Sequence, residues 1–445
     1  MTNPTLFVAI LVSILVLVLR PSHALTAYLA ALVWYPNDAR VSVGTIDFSV
    51  GRIVITVLLL RCLCDERIWR KFAWSQLDTW IAVSMTVYVG IFCLTRPFEM
   101  AIENRAGFLM DTFLPYLVVR FIIKDKTTCV SFLKGAGIVI ALLAVFGVVQ
   151  SITYWNPYLL LIRFRPWNPI FDTIEMPSRW GLARASGPFS HPILFGACFV
   201  MFLPLIWVLR HENKNWSKLA YCLSGMVILG AFSSMSSGSW VMLIAIIFCL
   251  IMERFKRWIK PLFIGGVASC MAIGIISNRS IYHVLYDYAN PAGGIWYQRA
   301  DLIDSAIENI DEWWLVGYGG KEPGWGERFG TFTDTNNEFI LMGILYGLLG
   351  IFVLCAVLIS AFRGLMRASR QTLDPAGKSL YWSLGCVLVG VIVIWQGVSF
   401  FGQMPVLFYS ILGIIGSSIG LAKSQALARS ESLGMKGNKV ILVRG

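Results

Sequence analysis

The feature that most constrains this chain is the recurrence of uninterrupted apolar segments long enough to cross a lipid bilayer. They lie at about 5–19, 22–35, 44–61, 77–94, 107–123, 132–152, 190–209, 218–235, 239–253, 260–277, 337–360, 380–397 and 404–422. A hydrocarbon core roughly 30 Å thick needs about 20 apolar residues per helical crossing. Backbone N–H and C=O groups in lipid must be satisfied within the segment, so such runs fold as helices. The expectation is an all-α polytopic membrane protein with about 12–13 transmembrane helices. The first two are short and are separated only by Arg20, Pro21, Ser22 and His23. A composition of 57% hydrophobic and 14% charged residues over 445 positions excludes a string of soluble domains.

The formal charge of +12 does not point to nucleic acid. Arg20, the connections 61–71, 120–134, 210–218, 254–260 and 363–378, and the tail after Ala422 hold 25 of the 37 Lys and Arg residues. They fall at every second turn of the chain, the pattern of cytoplasmic membrane loops. The alternate loops 95–106, 153–189, 278–336 and 398–403 are then expected outside. Four regions follow: helices over 1–277 interrupted by the outer loop 153–189, a large outer loop 278–336, C-terminal helices over 337–422, and a cytoplasmic tail 423–445.

The ten cysteines lie in or beside apolar spans, so they imply neither a disulfide framework nor a metal site. No cleavable signal peptide is expected, because the first apolar stretch lacks a basic leader. Trp155, Trp167, Trp180, Trp296, Trp313, Trp314 and Trp325 crowd the outer loops, as an interfacial aromatic belt does. The pairs Gly343/Gly347 and Gly416/Gly420 suggest close helix contacts.

Chemistry-bearing residues concentrate in two outer loops. In the larger, Leu302, Ile303, Ala306, Ile307, Ile310, Trp313 and Trp314 recur at helical spacing opposite Asp301, Asp304, Glu308, Asp311 and Glu312, which predicts an amphipathic helix at the membrane surface. Arg299 opens that helix. A cation there opposes the helix dipole unless an anion lies between guanidinium and free backbone N–H groups, a setting for phosphate or pyrophosphate; a salt bridge to Asp301 or Asp304 is the alternative. The run GYGGKEPGWG lacks the Lys-Ser/Thr ending of a nucleotide loop and reads as a flexible turn. Then Asp334, Asn336, Asn337 and Glu338 gather at the start of the next membrane helix, where Asp334 or Asn336 with Glu338 would serve as a cap. In the other loop Arg179 and Arg184 precede a helix beginning near Pro188 to Pro192. There His191 is either a general base or a structural residue at the helix start.

The stretches RASGPFSHPILFG, SSMSSGSWVML, an Arg ahead of WWLVGYG, and TNNEFILMGILYGLLG, in this order over residues 179 to 350, resemble the O-antigen ligase and polysaccharide polymerase superfamily of bacterial integral membrane proteins. The resemblance implies a metal-independent glycosyltransferase of the C-type membrane fold without a cofactor. Its donor would be an undecaprenyl-pyrophosphate-linked glycan, and its acceptor another lipid-linked repeat unit in polymerases or the lipid A core in ligases. It also implies the bacterial inner membrane, an active face that is periplasmic or extracellular, contact with membrane lipid, and polysaccharide export or chain-length machinery as candidate partners. Carried over by residue, Arg299 matches the family's loop arginine and Asn337 the Asn of its His-Asn pair. Asn336 stands where the family's basic histidine is usual, and Ser237 where many members have arginine before Trp240. Asn cannot act as a base at neutral pH. Glu338 or Asp334 is therefore the expected proton acceptor, with Arg184, Arg179 and Arg299 on the pyrophosphate. The polymerase branch is the first reading and ligation the second. A lipid-linked glycan transporter would place ionisable groups at midplane depth, in two repeated halves, and a non-catalytic family member would only bind such a glycan.

Overall fold

The computed structural model describes residues 3–44, 46–65, 72–164, 178–288, 297–319, 321–325 and 335–442. The apolar segments form α1 (Pro4–Val18), α2 (Pro21–Trp34), α3 (Val50–Cys64), α4 (Gln76–Thr95), α5 (Phe98–Asp111), α6 (Phe113–Ile122), α7 (Lys126–Thr153), α8 (Pro192–Trp207), α9 (Lys214–Ser233), α10 (Ser237–Met252) and α11 (Ile259–Ile276). Two shorter helices follow, α12 (Ile281–Tyr288) and α13 (Tyr297–Glu308), then α14 (Glu338–Gln371), α15 (Pro375–Trp395) and α16 (Met404–Leu442). Among the described residues, eight helices are long and apolar enough to cross a membrane. The chain is a predominantly helical protein of multi-pass membrane architecture. α1 and α10 are apolar but shorter, at 15 and 16 residues.

Helix starts are written locally. Ser75, Asp125, Asn213 and Asp374 accept hydrogen bonds from first-turn N–H groups of α4, α7, α9 and α15. The axis of the bundle is α8. It is apolar all round, as PILFGACFVMFLPLIW requires, and 94% of its span is buried. Small residues let its neighbours approach: a Cβ at Gly230 would lie 2.6 Å from Ala144, and one at Gly147 2.8 Å from Phe195. No residue of α11, by contrast, is buried inside the protein. At the end that carries the basic turns, Arg120 of α6 forms a buried ion pair with Asp78 of α4 at 2.8 Å, and the Tyr116 hydroxyl donates to the same carboxylate. Gly413 and Gly416 admit that group, since a Cβ at Gly416 would meet the Arg120 side chain at 2.7 Å.

Two predicted spans are shorter as helices than the hydropathy implies. Residues 46–49 of the 44–61 segment form the second strand of an antiparallel hairpin, Arg40–Val43 with Ile46–Ser49, turned at Gly44 with φ +65°. Val41, Val43, Ile46 and Phe48 alternate with polar residues there, a period of two that helical burial does not satisfy. Ser49 then caps α3. The 107–123 segment breaks at Thr112, and residues 98–106, expected as loop, are the first part of α5.

The larger departure is in α14, which is interrupted at Gly347 with φ +69° and ψ −170°. The loop segment Trp313–Tyr318 fills the break. Tyr318 N donates to Ile344 O at 2.8 Å, and Leu348 N donates to Trp314 O at 2.8 Å, replacing bonds the helix has lost. A Cβ on Gly347 would lie 2.5 Å from Leu315 O, one on Gly317 2.2 Å from Ile344 O, and one on Gly343 2.7 Å from the Trp313 ring. The glycines of WWLVGYG and GILYGLLG are therefore matched close-approach surfaces. Gly317, at φ +74°, belongs to a tightly packed insertion and not to a flexible turn. Of the loop tryptophans, Trp155, Trp180 and Trp314 are exposed, as a belt requires, whereas Trp313 and Trp325 are buried in a small cluster with Ala306 and Ile344. Trp167 and Trp296 lie outside the described residues.

Candidate functional site

The site is built around the first residues of α14. Asn337 has extended backbone, φ −141°, and its side-chain oxygen accepts from Phe339 N at 3.0 Å and Ile340 N at 3.2 Å. Asn337 is thus the cap expected of Asp334 or Asn336. Glu338 is relieved of capping. Its Oε2 accepts from the backbone N–H of Phe400 at 2.8 Å, across from the short connection between α15 and α16. No other partner of this carboxylate occurs among the described residues. Asn336 is partly exposed beside it, and Asp334 lies outside the described residues.

The end of α15 ties the large loop to this corner. Gln396 O accepts from the Tyr286 hydroxyl at 2.7 Å and from Asn337 Nδ2 at 3.4 Å. The Arg299 guanidinium lies against Gly397, where a Cβ would stand 2.6 Å from its Nη1. Burial holds Arg299 below its ordinary value, with the Tyr286 hydroxyl opposing that shift. Of the two acids weighed as its partners, Asp304 is engaged by His283 at 2.7 Å and by the Tyr282 hydroxyl. Arg299, Asn337 and Glu338, from segments far apart in sequence, therefore meet around residues 396–400. The expected amphipathic helix is interrupted at Asn309, and Ile307, Ile310 and Trp314 remain on the outside of the protein.

The Arg179–His191 segment borders the same connection from the other side. Gln403 Nε2 donates to Pro188 O at 3.1 Å, and a Cβ at Gly402 would lie 3.5 Å from Ser190 Oγ. Arg179 Nη1 donates to Met235 O at 3.0 Å. Burial, with the neighbouring Arg179, lowers Arg184 to about 10. His191 caps α8, its Nδ1 accepting from Ile193 N at 3.1 Å. Burial and the Arg184 charge lower it to about 4, so it is neutral at pH 7 with its proton on Nε2. That tautomer offers a donor and no free basic nitrogen. His191 is thus a helix cap and poorly placed as a base.

Glu338 opens on a cavity of about 280 Å³ lined also by Arg40, Tyr88, Arg105, Asp111, Tyr346, Phe400 and Tyr409. Several of these residues were not singled out in the sequence. Arg105 falls in a stretch expected to be loop, although Ala101, Arg105 and Phe108 follow at helical spacing and so put an arginine on an otherwise inward-facing stripe. Arg52 and Asp111 pair with each other through 2.6 and 3.0 Å bonds beside this cavity. Among the described residues no three His, Cys, Asp or Glu side chains cluster as metal ligands.

No family model and no curated protein matches the chain. One carboxylate, held by a single backbone N–H, faces a small cavity, and one half-buried guanidinium, that of Arg299, lies against Gly397 of the same connection; Arg179 reaches instead to Met235 O. Such a set can accept a proton and stabilise an anion at neighbouring points.

Proposed function

We propose that the chain is a membrane glycosyltransferase that polymerises undecaprenyl-pyrophosphate-linked oligosaccharide repeat units into a surface polysaccharide. The observation that carries this reading is the convergence of Glu338, Asn337 and Arg299 on residues 396–400 beside a cavity. In the reaction, the Glu338 carboxylate takes the proton of an acceptor hydroxyl. The acceptor oxygen bonds to the anomeric carbon of the donor as the bond from that carbon to the pyrophosphate oxygen breaks. Arg299, with Arg184 and Arg179, stabilises the undecaprenyl pyrophosphate that leaves. Glu338 thereby occupies the role for which Asn336 lacks a basic nitrogen. The mechanism requires no metal ion.

This reading brings with it a C-type glycosyltransferase arrangement of about 12–13 crossings in a bacterial inner membrane, the loop-bearing end facing the periplasm or the exterior. An acceptor from the lipid A core would make the same chemistry a ligation.

The test is reconstitution with a defined undecaprenyl-pyrophosphate oligosaccharide, followed by product sizing. Glu338→Gln should lower the transfer rate by about 100-fold or more, the usual worth of a positioned base. Asp334→Asn should leave it within a few-fold of the parent. Full activity of Glu338→Gln would remove the proposed base. In cells, loss of the protein should leave single lipid-linked repeat units, whereas full-length polymer retained on the lipid would indicate a ligase. Unchanged lipid-linked pools would count against both.

A further inference from the structure

The turn that leads into α11 concentrates positive charge. Arg254, Lys256, Arg257 and Lys260 are interleaved there with Phe255, Trp258 and Ile259, and every one of these residues is exposed. Glu253, the acid beside them, is already bound to Arg210 at 2.8 Å. Acids of two neighbouring turns are engaged as well, Glu212 by Lys134 at 3.3 Å and Asp374 by Lys126 at 2.5 Å. Among the described residues no carboxylate forms a salt bridge with Arg254, Arg257 or Lys260. Exposed cations alone would simply be hydrated, as Arg363, Arg367 and Arg370 of α14 are, with no aromatic residue between them. Cations alternating with exposed rings, directly before a membrane-length helix, match instead the boundary between phosphate headgroups and hydrocarbon.

α11 carries the apolar half of the same site. Leu262, Phe263, Gly266, Val267, Cys270 and Met271 line a groove of about 560 Å³ that no other membrane-length helix covers. Gly266 leaves the surface low, since a Cβ there would meet nothing within 4 Å. Lys260, Phe263, Val267 and Met271 recur at steps of three and four, so a cation heads the stripe that forms the groove. From Leu262 to Met271 the helix rises about 14 Å at 1.5 Å per residue. That is the depth of one leaflet of a hydrocarbon core roughly 30 Å thick. A second copy of α11 is a poor occupant: packed side by side in one membrane, the two helices would bring their basic turns together, and like charges repel.

We propose that the 254–260 turn and the α11 groove bind an anionic phospholipid, with its headgroup phosphate on Arg254, Arg257 and Lys260 and one acyl chain along Phe263, Val267 and Met271. The lipid supplies the packing that the rest of the chain does not give α11. The site is separate from the Glu338 corner and independent of the reaction proposed there.

The experiment uses the full-length protein in nanodiscs of equimolar dioleoyl phosphatidylglycerol and dioleoyl phosphatidylcholine, and native mass spectrometry counts the lipid that stays bound on release. Phosphatidylglycerol should be retained about tenfold or more over phosphatidylcholine. Replacing Arg254, Arg257 and Lys260 together by Gln should cut that preference about fivefold or more, whereas the same replacement of Arg363, Arg367 and Arg370 should change it less than about twofold. Equal retention of the two lipids would overturn the proposal, as would equal effects of the two triple variants. A second measurement keeps the charges and decides should the first triple variant fail to fold. Bimane is attached to Cys270 with the other nine cysteines replaced. Phosphatidylglycerol with brominated acyl chains should quench it more strongly than brominated phosphatidylcholine does. Equal quenching would overturn the headgroup selection, and no quenching by either lipid would overturn the proposal in favour of a second copy seated on the groove.

Discussion

Two adjacent side chains at the start of α14 divide tasks that a single cap residue could have combined. Asn337 closes the helix, which releases Glu338 to face the cavity while one of its oxygens is held by Phe400 N. His191 shows the opposite outcome, a titratable group used to close a helix. Its folded value of about 4 lies below the ordinary 6.5, so between these limits the unfolded chain binds more protons than the folded one. Its contribution is complete above pH 6.5 and is lost as pH falls towards 4. The protein should therefore lose stability on acidification from pH 7 to pH 5, by about 2 kcal/mol from this residue. His191→Asn keeps an acceptor for Ile193 N and removes the titration. Its unfolding midpoint, followed by tryptophan fluorescence, should fall less over that pH interval than that of the parent; equal slopes would refute the assignment. The choice posed by the sequence, base or structural residue, turned on which nitrogen is engaged, and an isolated His-Pro pair does not encode that.

Among the elements, the broken helix α14 matters most. Its apolar pattern reads as continuous, and the interruption arises because Trp313–Tyr318 supplies the hydrogen bonds that a break would otherwise leave unmade. The break sets the half-helix beginning at Glu338 against the large loop and so holds Glu338 near Arg299. Gly347→Ala places a Cβ 2.5 Å from Leu315 O in a left-handed conformation. It should cost about 2 kcal/mol or more, from strain and overlap together. Gly225→Ala in α9, where a Cβ meets nothing within 4 Å, should change stability by less than about 1 kcal/mol. Thermal unfolding of the two variants side by side checks this, and equal midpoints would show that the insertion is not a tight fit. The glycine spacing of GILYGLLG was legible in the sequence; its partner was not, because a close approach to another helix and one to an inserted loop need the same absent Cβ.

For the whole molecule, the alternation of basic and polar connections implies that α14 starts, and α15 ends, on one side of the membrane. Glu308, exposed in the large loop, and Lys214, exposed at the start of α9, then lie on opposite sides. In a background with the ten native cysteines replaced, a membrane-impermeant maleimide applied to intact cells should label Glu308→Cys. Lys214→Cys should become reactive only after permeabilisation. The reverse pattern would invert the orientation and remove the periplasmic or exterior site on which the proposed function depends.

The sequence by itself determined the helical membrane class, the positions of nearly all the helices, and a polar, capped start to α14. All of these follow from local physics: hydrocarbon transfer, backbone satisfaction within a segment, and capping by the nearest side chain. Only the tertiary structure decided which corner residue is free for chemistry, where α14 breaks, and that Arg105 belongs beside Glu338. Those outcomes depend on partners distant along the chain, 62 residues between Glu338 and Phe400 and 241 between Arg105 and Tyr346. Apolar periodicity places an arginine on a buried stripe, but whether that charge meets an acid, a neutral hydroxyl or a cavity is settled by the packing of helices from opposite ends of the sequence.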